Sequence, residues 1–87
     1  MSAAVVQTRR FARQFKSLPA DAAAEVSQAV QRVVKNPEAG GLQNVDLAAL
    51  RVFRFDLSGR PYLLGYTQGA TLRLIHLDAD VLRAGSN

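Results

Sequence analysis

The dipeptide Ser58-Gly59 leaves this chain least freedom, because it separates two strand-like runs, RVFRFDL and RPYLLGYT, by two residues of turn-forming type. A two-residue loop fixes the register of an antiparallel hairpin, since every further pair follows from it. Pairing outward sets Leu57 opposite Arg60, Phe55 opposite Tyr62, Phe53 opposite Leu64 and Arg51 opposite Tyr66, all on one face by the period of two. The other face pairs Val52 with Gly65, Arg54 with Leu63 and Asp56 with Pro61.

A second turn near Gln68-Gly69-Ala70 predicts a third strand. A three-residue loop there sets Leu72 beside Tyr66, Leu74 beside Leu64 and His76 beside Tyr62, with Arg73, Ile75 and Leu77 on the opposite face. The face rich in Phe53, Phe55, Leu64, Leu72 and Leu74 is then expected to bury against helices. The second face mixes Arg54 and Arg73 with Val52, Leu63 and Ile75 around Gly65, whose missing side chain is expected to leave a shallow hollow.

The amino-terminal half reads as one short strand and two helices. Ala3 to Val6 is an apolar run ending in two β-branched residues, as in a strand. Thr8 can cap the next helix, in which Phe11, Phe15 and Leu18 share a face and Arg9, Arg10, Arg13 and Lys16 surround it. Pro19 divides this helix from a second, Ala20 to Lys35, with Ala23, Val26, Val30, Val33 and Val34 at helical spacing. Asn36-Pro37 and Gly40-Gly41 stop it, and Leu42 to Ala49 carries no regular element, though Asp46 can cap a short turn. A single α+β domain over residues 1–87 is expected, a helical hairpin on a small antiparallel sheet in the order β-α-α-β-β-β.

Composition narrows the chemistry. Without cysteine there is no disulfide, no thiolate metal site and no Cys nucleophile. No carboxylate pair, metal-ligand spacing or phosphate loop stands out, so no metal and no cofactor is expected. Nothing approaches the roughly 18 apolar residues of a membrane span, and a soluble cytoplasmic protein is the default. The net charge of +4 and pI near 10.4 favour a polyanion or an acidic protein as partner.

Phe11, Lys16 and Leu18 before a long helix, then Asn36-Pro37, then the lead-in and strand from Asp46 to Phe55, then Tyr62-Leu63-Leu64-Gly65-Tyr66-Thr67, follow one another in an order that resembles the RelE/ParE superfamily of bacterial toxins. The wording is most similar to ParE-like members, with Gly65 where their last pattern has Ala. The resemblance implies a growth-inhibiting toxin of a type II toxin-antitoxin operon, neutralised by an antitoxin with which it forms a hetero-oligomer. ParE-like members inhibit DNA gyrase, whereas RelE-like members are ribosome-dependent mRNA endoribonucleases, and a non-toxic relative that only binds antitoxin is a third possibility. Many nuclease relatives carry a Tyr after the last strand, but residues 78–84 here contain none.

If the chain is a ribonuclease, Arg54, Arg73 and His76 are the candidates, two cations for the phosphorane and one group for the proton. His76 lies in the apolar string Leu74-Ile75-His76-Leu77, which favours a structural or contact role. The surface expected to meet target or antitoxin comprises Arg51, Val52, Arg54, Leu63, Tyr66, Arg73 and Ile75. Exposed Val52, Leu63 and Ile75 would form its apolar patch. Arg51 can also pair with Tyr66, Arg60 is expected to be a solvated turn charge, and Arg9, Arg10, Arg13 and Lys16 a solvated helix face or a basic patch.

Overall fold

The computed structural model describes residues 4–44 and 50–80. Their elements run β1 (Val5–Gln7), α1 (Arg9–Lys16), α2 (Ala20–Lys35), β2 (Gly41–Asn44), β3 (Leu50–Leu57), β4 (Arg60–Gln68) and β5 (Leu72–Ala79). One sheet joins the strands in the order β1-β5-β4-β3-β2. It is antiparallel from β2 to β5, as expected, and mixed at one edge, where β1 runs parallel to β5. Strand β2 falls where no regular element was expected, because Gly41 and Leu42 pair antiparallel with Val52 and Arg51. Asp46 and the rest of the lead-in at 45–49 lie outside the described residues, as do residues 81–87.

The β3–β4 hairpin has the register that its turn dictates, from Leu57 opposite Arg60 to Arg51 opposite Tyr66. Ser58 and Gly59 both take positive φ, 53° and 79°, the pattern of the tight turn whose twist matches that of the strands. The Ser58 N–H donates to Glu25 Oε1 at 2.7 Å, tying the turn to α2.

The second hairpin departs from its expected register. Its loop is Gly69 to Thr71, with Gln68 opposite Leu72, and Tyr66 faces Leu74. The register then shifts, so that Gly65 faces His76 and Leu64 faces Leu77. The extra residue is Ile75. A regular strand would have put His76 into the core and Leu77 outside, whereas the spacing Leu72, Leu74, Leu77 buries all three leucines only if one residue bulges out of step. Each buried leucine contributes about 1.5–3 kcal/mol, more than the loss of a ladder bond costs.

Both helices cover the same face. Thr8 caps α1, its Oγ1 accepting the Phe11 N–H at 3.1 Å, and Phe11 stacks on Phe15. Along α2 the fully buried line is Ala22, Val26, Ala29 and Val33, while Ala23, Val30 and Val34 are half-buried. The two alanines let α2 lie close against the sheet, which rotates its buried line away from the valines alone. Phe11, Val26, Val33, Leu57, Leu64, Tyr66, Leu72, Leu74 and Leu77 make the core.

Where β1 ends, α1 takes over the edge of β5. The Thr8 N–H donates to Leu74 O and its hydroxyl to Ile75 O. The Gln14 side chain then pairs with Leu77 like a strand, its Nε2 donating to Leu77 O at 2.8 Å and its Oε1 accepting the Leu77 N–H at 2.9 Å. Backbone groups that an edge strand would leave open are satisfied by side chains instead.

Candidate functional site

The face of the sheet turned away from the helices carries the chemistry. By register, Arg54 stands opposite Leu63, His76 opposite Gly65 and Arg73 opposite Thr67, on three successive same-face rungs of β4. Rungs on one face are about 6.6 Å apart, so Arg54 and Arg73 are rooted about 13 Å apart along the strands and on opposite sides of β4. His76 lies between them in level. The bulge at Ile75 brings it to this face, correcting the expectation that it would sit beside Tyr62.

Gly65 does not leave a hollow. A Cβ built there would come within 2.9 Å of His76 Cε1 and Nε2, so the imidazole lies over the glycine and fills the space its side chain would take. His76 Nδ1 is 3.0 Å from Asp78 Oδ2, an ion-pair distance, yet Nδ1 is buried and has no hydrogen-bond partner. Arg10 reaches the other Asp78 oxygen at 3.8 Å, with both side chains about half exposed or more. Such a pair adds little stability, but it sets a carboxylate beside the histidine.

Arg54 is also engaged. Its Nε donates to Asp80 Oδ2 at 3.1 Å, and the Asp80 side chain is only 4% exposed while that of Arg54 is 61% exposed. Asp80 itself is fixed by its backbone, whose N–H donates to Pro61 O at 2.9 Å. Arg54 therefore leans toward the Pro61 end of the face, away from Arg73. Among the described residues Arg73 is in no ion pair and is exposed. Two carboxylates thus accompany the arginine–histidine group, and neither was expected there. Asp80 follows the predicted strands and meets Arg54 only through the fold, so nothing local in the sequence signals the pair.

The other expected surface residues divide. Val52 and Leu63 lie on this face, half-buried rather than exposed. Ile75 is half-buried at the bulge. Tyr66 is fully buried and belongs to the core: its hydroxyl donates to Pro37 O at 2.6 Å and accepts the Gly40 N–H at 2.9 Å. Arg51 lies opposite Tyr66 and donates to Gly40 O at 2.8 Å, so the two hold the loop after α2.

A second surface opens on the helix side. Phe53 and Phe55, expected in the packed face, are only half-buried, with rings stacked at 6.5 Å. They line a groove of about 470 Å³ between α2 and β3, together with Glu25, Gln28, Ala29 and Arg32. Among the described residues no group of three metal-ligating side chains converges, and no helix is long and apolar enough to cross a membrane.

Comparison with known proteins agrees with this architecture. The family model of the ParE-like toxin of type II bacterial toxin-antitoxin systems matches residues 5–85. Among solved structures, the chain is similar to a chain of the intact E. coli RelBE toxin-antitoxin complex, at 15% identity and a TM-score of 0.68, over 88% of this chain and 95% of that one. It is equally similar to the isolated E. coli RelE toxin, at 14% identity and a TM-score of 0.67, over 95% and 94% of the two chains. At such identities the likeness is one of fold. No curated protein matches the chain in sequence.

Proposed function

Because the chain belongs to the ParE-like toxins of type II toxin-antitoxin systems, we propose that it arrests growth by binding a large protein target of the DNA gyrase class with the outer face of its sheet. It performs no chemistry of its own. The carrying observation is the Arg54–Asp80 pair at 3.1 Å, which already opposes the charge of one cation that a phosphorane would need. Asp78 does the same beside His76 and Arg10. A face on which carboxylates accompany Arg54 and His76 around half-buried Val52 and Leu63 suits a protein surface better than a polyphosphate chain. The site of action is the cytoplasm, where such a target and its DNA are found. The test is a supercoiling assay with purified protein: inhibition relieved by antitoxin is expected, and supercoiling unaffected by a large molar excess would overturn the reading.

One observation favours a ribosome-dependent ribonuclease instead. The bulge places His76 between Arg54 and Arg73 with a carboxylate at 3.0 Å, an arrangement able to accept a proton. Replacing Arg54, Arg73 and His76 together by Ala would then abolish toxicity, and retained toxicity excludes it.

The antitoxin is proposed to lay an apolar segment in the groove between α2 and β3. Phe53 and Phe55 offer ring surface there, and Glu25 and Arg32 flank it. Phe55→Glu should then abolish copurification with antitoxin while the toxin stays folded, and undiminished copurification would remove the groove from the interface.

A further inference from the structure

The outward side of α1 departs from what a helix needs for stability. Arg9, Arg13 and Lys16 follow one another at four and three residues, which aligns them on a single stripe directly opposite Phe11 and Phe15. All three are exposed, and among the described residues none is in an ion pair, whereas Arg10 on the flank has Asp78. The first turn contains no acidic residue. Arg9 therefore sits at the positive end of the helix dipole, and Arg9 with Arg13 and Arg13 with Lys16 are like-charge neighbours that repel. Arg13 and Lys16 recover part of this from the carboxyl end of the dipole, while Arg9 does not. A helix held by packing, Thr8 and Gln14 has no folding use for this stripe.

We propose that Arg9, Arg13 and Lys16 form a binding surface for the phosphate backbone of duplex DNA. The stripe spans about 10 Å of helix, over which a duplex presents about six phosphate charges, and a straight rod of cations with no acid in it complements that line. A single strand is excluded by the aromatics: it is gripped by exposed stacking rings, and here Phe11 is buried and Phe15 is packed on it. The charge segregation is also informative. On the sheet's outer face Arg54 has Asp80 and His76 has Asp78, which leaves Arg73 alone among the described residues, whereas none of the three cations of α1's outward stripe has a carboxylate. The choice of DNA over duplex RNA rests on the gyrase reading, since DNA is the polyanion that target holds; the surface itself does not. One face thus meets the protein and the other the DNA bound to it.

The experiment uses the full-length toxin alone and a fluorescein-labelled random duplex of about 20 base pairs, with affinity followed by anisotropy from about 50 to 200 mM salt. Three phosphate contacts at about 0.9 each contribute about 2.7 to the slope of log K against log salt, or about 40-fold across that range. The triple variant Arg9→Gln, Arg13→Gln, Lys16→Gln should lose that share of the slope, and Arg60→Gln in the β3–β4 turn should not. Because repulsion is relieved, the triple variant should melt at or above the wild-type temperature, and a lower midpoint would contradict the premise. No DNA binding at low salt, an unchanged slope in the triple variant, tighter binding of duplex RNA, or displacement of DNA by polyglutamate at lower concentration than by competitor DNA would each overturn the proposal. With no gyrase in the assay, its failure is separate from failure of the supercoiling test.

Discussion

Tyr66 shows how much one side chain can hold. Its hydroxyl closes the loop after α2 by bonding both Pro37 and Gly40, and it is 0% exposed. Tyr66→Phe leaves a buried N–H and a carbonyl unpaired, so a loss of about 1–3 kcal/mol is expected as a lower urea midpoint with unchanged slope. At Gly65 the consequence is positional. A methyl there collides with the His76 ring, which is the movable end of a side chain, so Gly65→Ala should change stability by less than about 1 kcal/mol while shifting the His76 ring resonances. If those resonances stay in place, the stacking of His76 over Gly65 is wrong. His76→Gln should keep growth inhibition, because the account gives the imidazole a place in a contact face and no proton to transfer. Residue identity in the hairpin was legible from Ser58-Gly59, since two positive-φ positions admit one register. The meeting of Arg54 with Asp80 was not, because it joins residues 26 apart through a strand that neither belongs to in common.

At the scale of elements, β5 carries the main lesson. Leucines at 72, 74 and 77 break the period of two, and that interval of three is the written sign of the bulge. Taken as a regular strand, the same text sends His76 inward. The shifted register is held from the side by α1, through Thr8 on Ile75 and Gln14 on Leu77. Gln14→Leu removes two bonds from a part-buried edge, and a cost of about 1–3 kcal/mol is expected in thermal or urea unfolding, with faster amide exchange at Leu77. Unchanged exchange there would mean that Gln14 does not guard the edge. Helix α2 was legible in extent from Pro19 and Asn36-Pro37, and its buried line in part: Val26 and Val33 are buried as their spacing indicates, whereas the close approach that buries Ala22 and Ala29, and leaves Val30 and Val34 half-buried, depends on the sheet beneath. Strand β2 escaped notice because its short GLQN text has little strand propensity and gains its ladder only from β3.

At the scale of the molecule, one sheet separates two environments. The helix side supplies the core and a groove with two half-buried phenylalanines. The outer side gathers arginines, a histidine and two carboxylates on neighbouring rungs. The net charge of +4 is therefore not spread evenly, and its least compensated part lies along α1. Such a division supports the proposal that the toxin works by holding its target, because a cleaving site would concentrate free cations where the phosphate sits. The most direct test is the integrity of a reporter mRNA in a translating extract that receives purified toxin, followed by primer extension. A toxin that holds its target leaves the message full-length at concentrations that block gyrase, and new cleavage products that vanish with His76→Gln would contradict this.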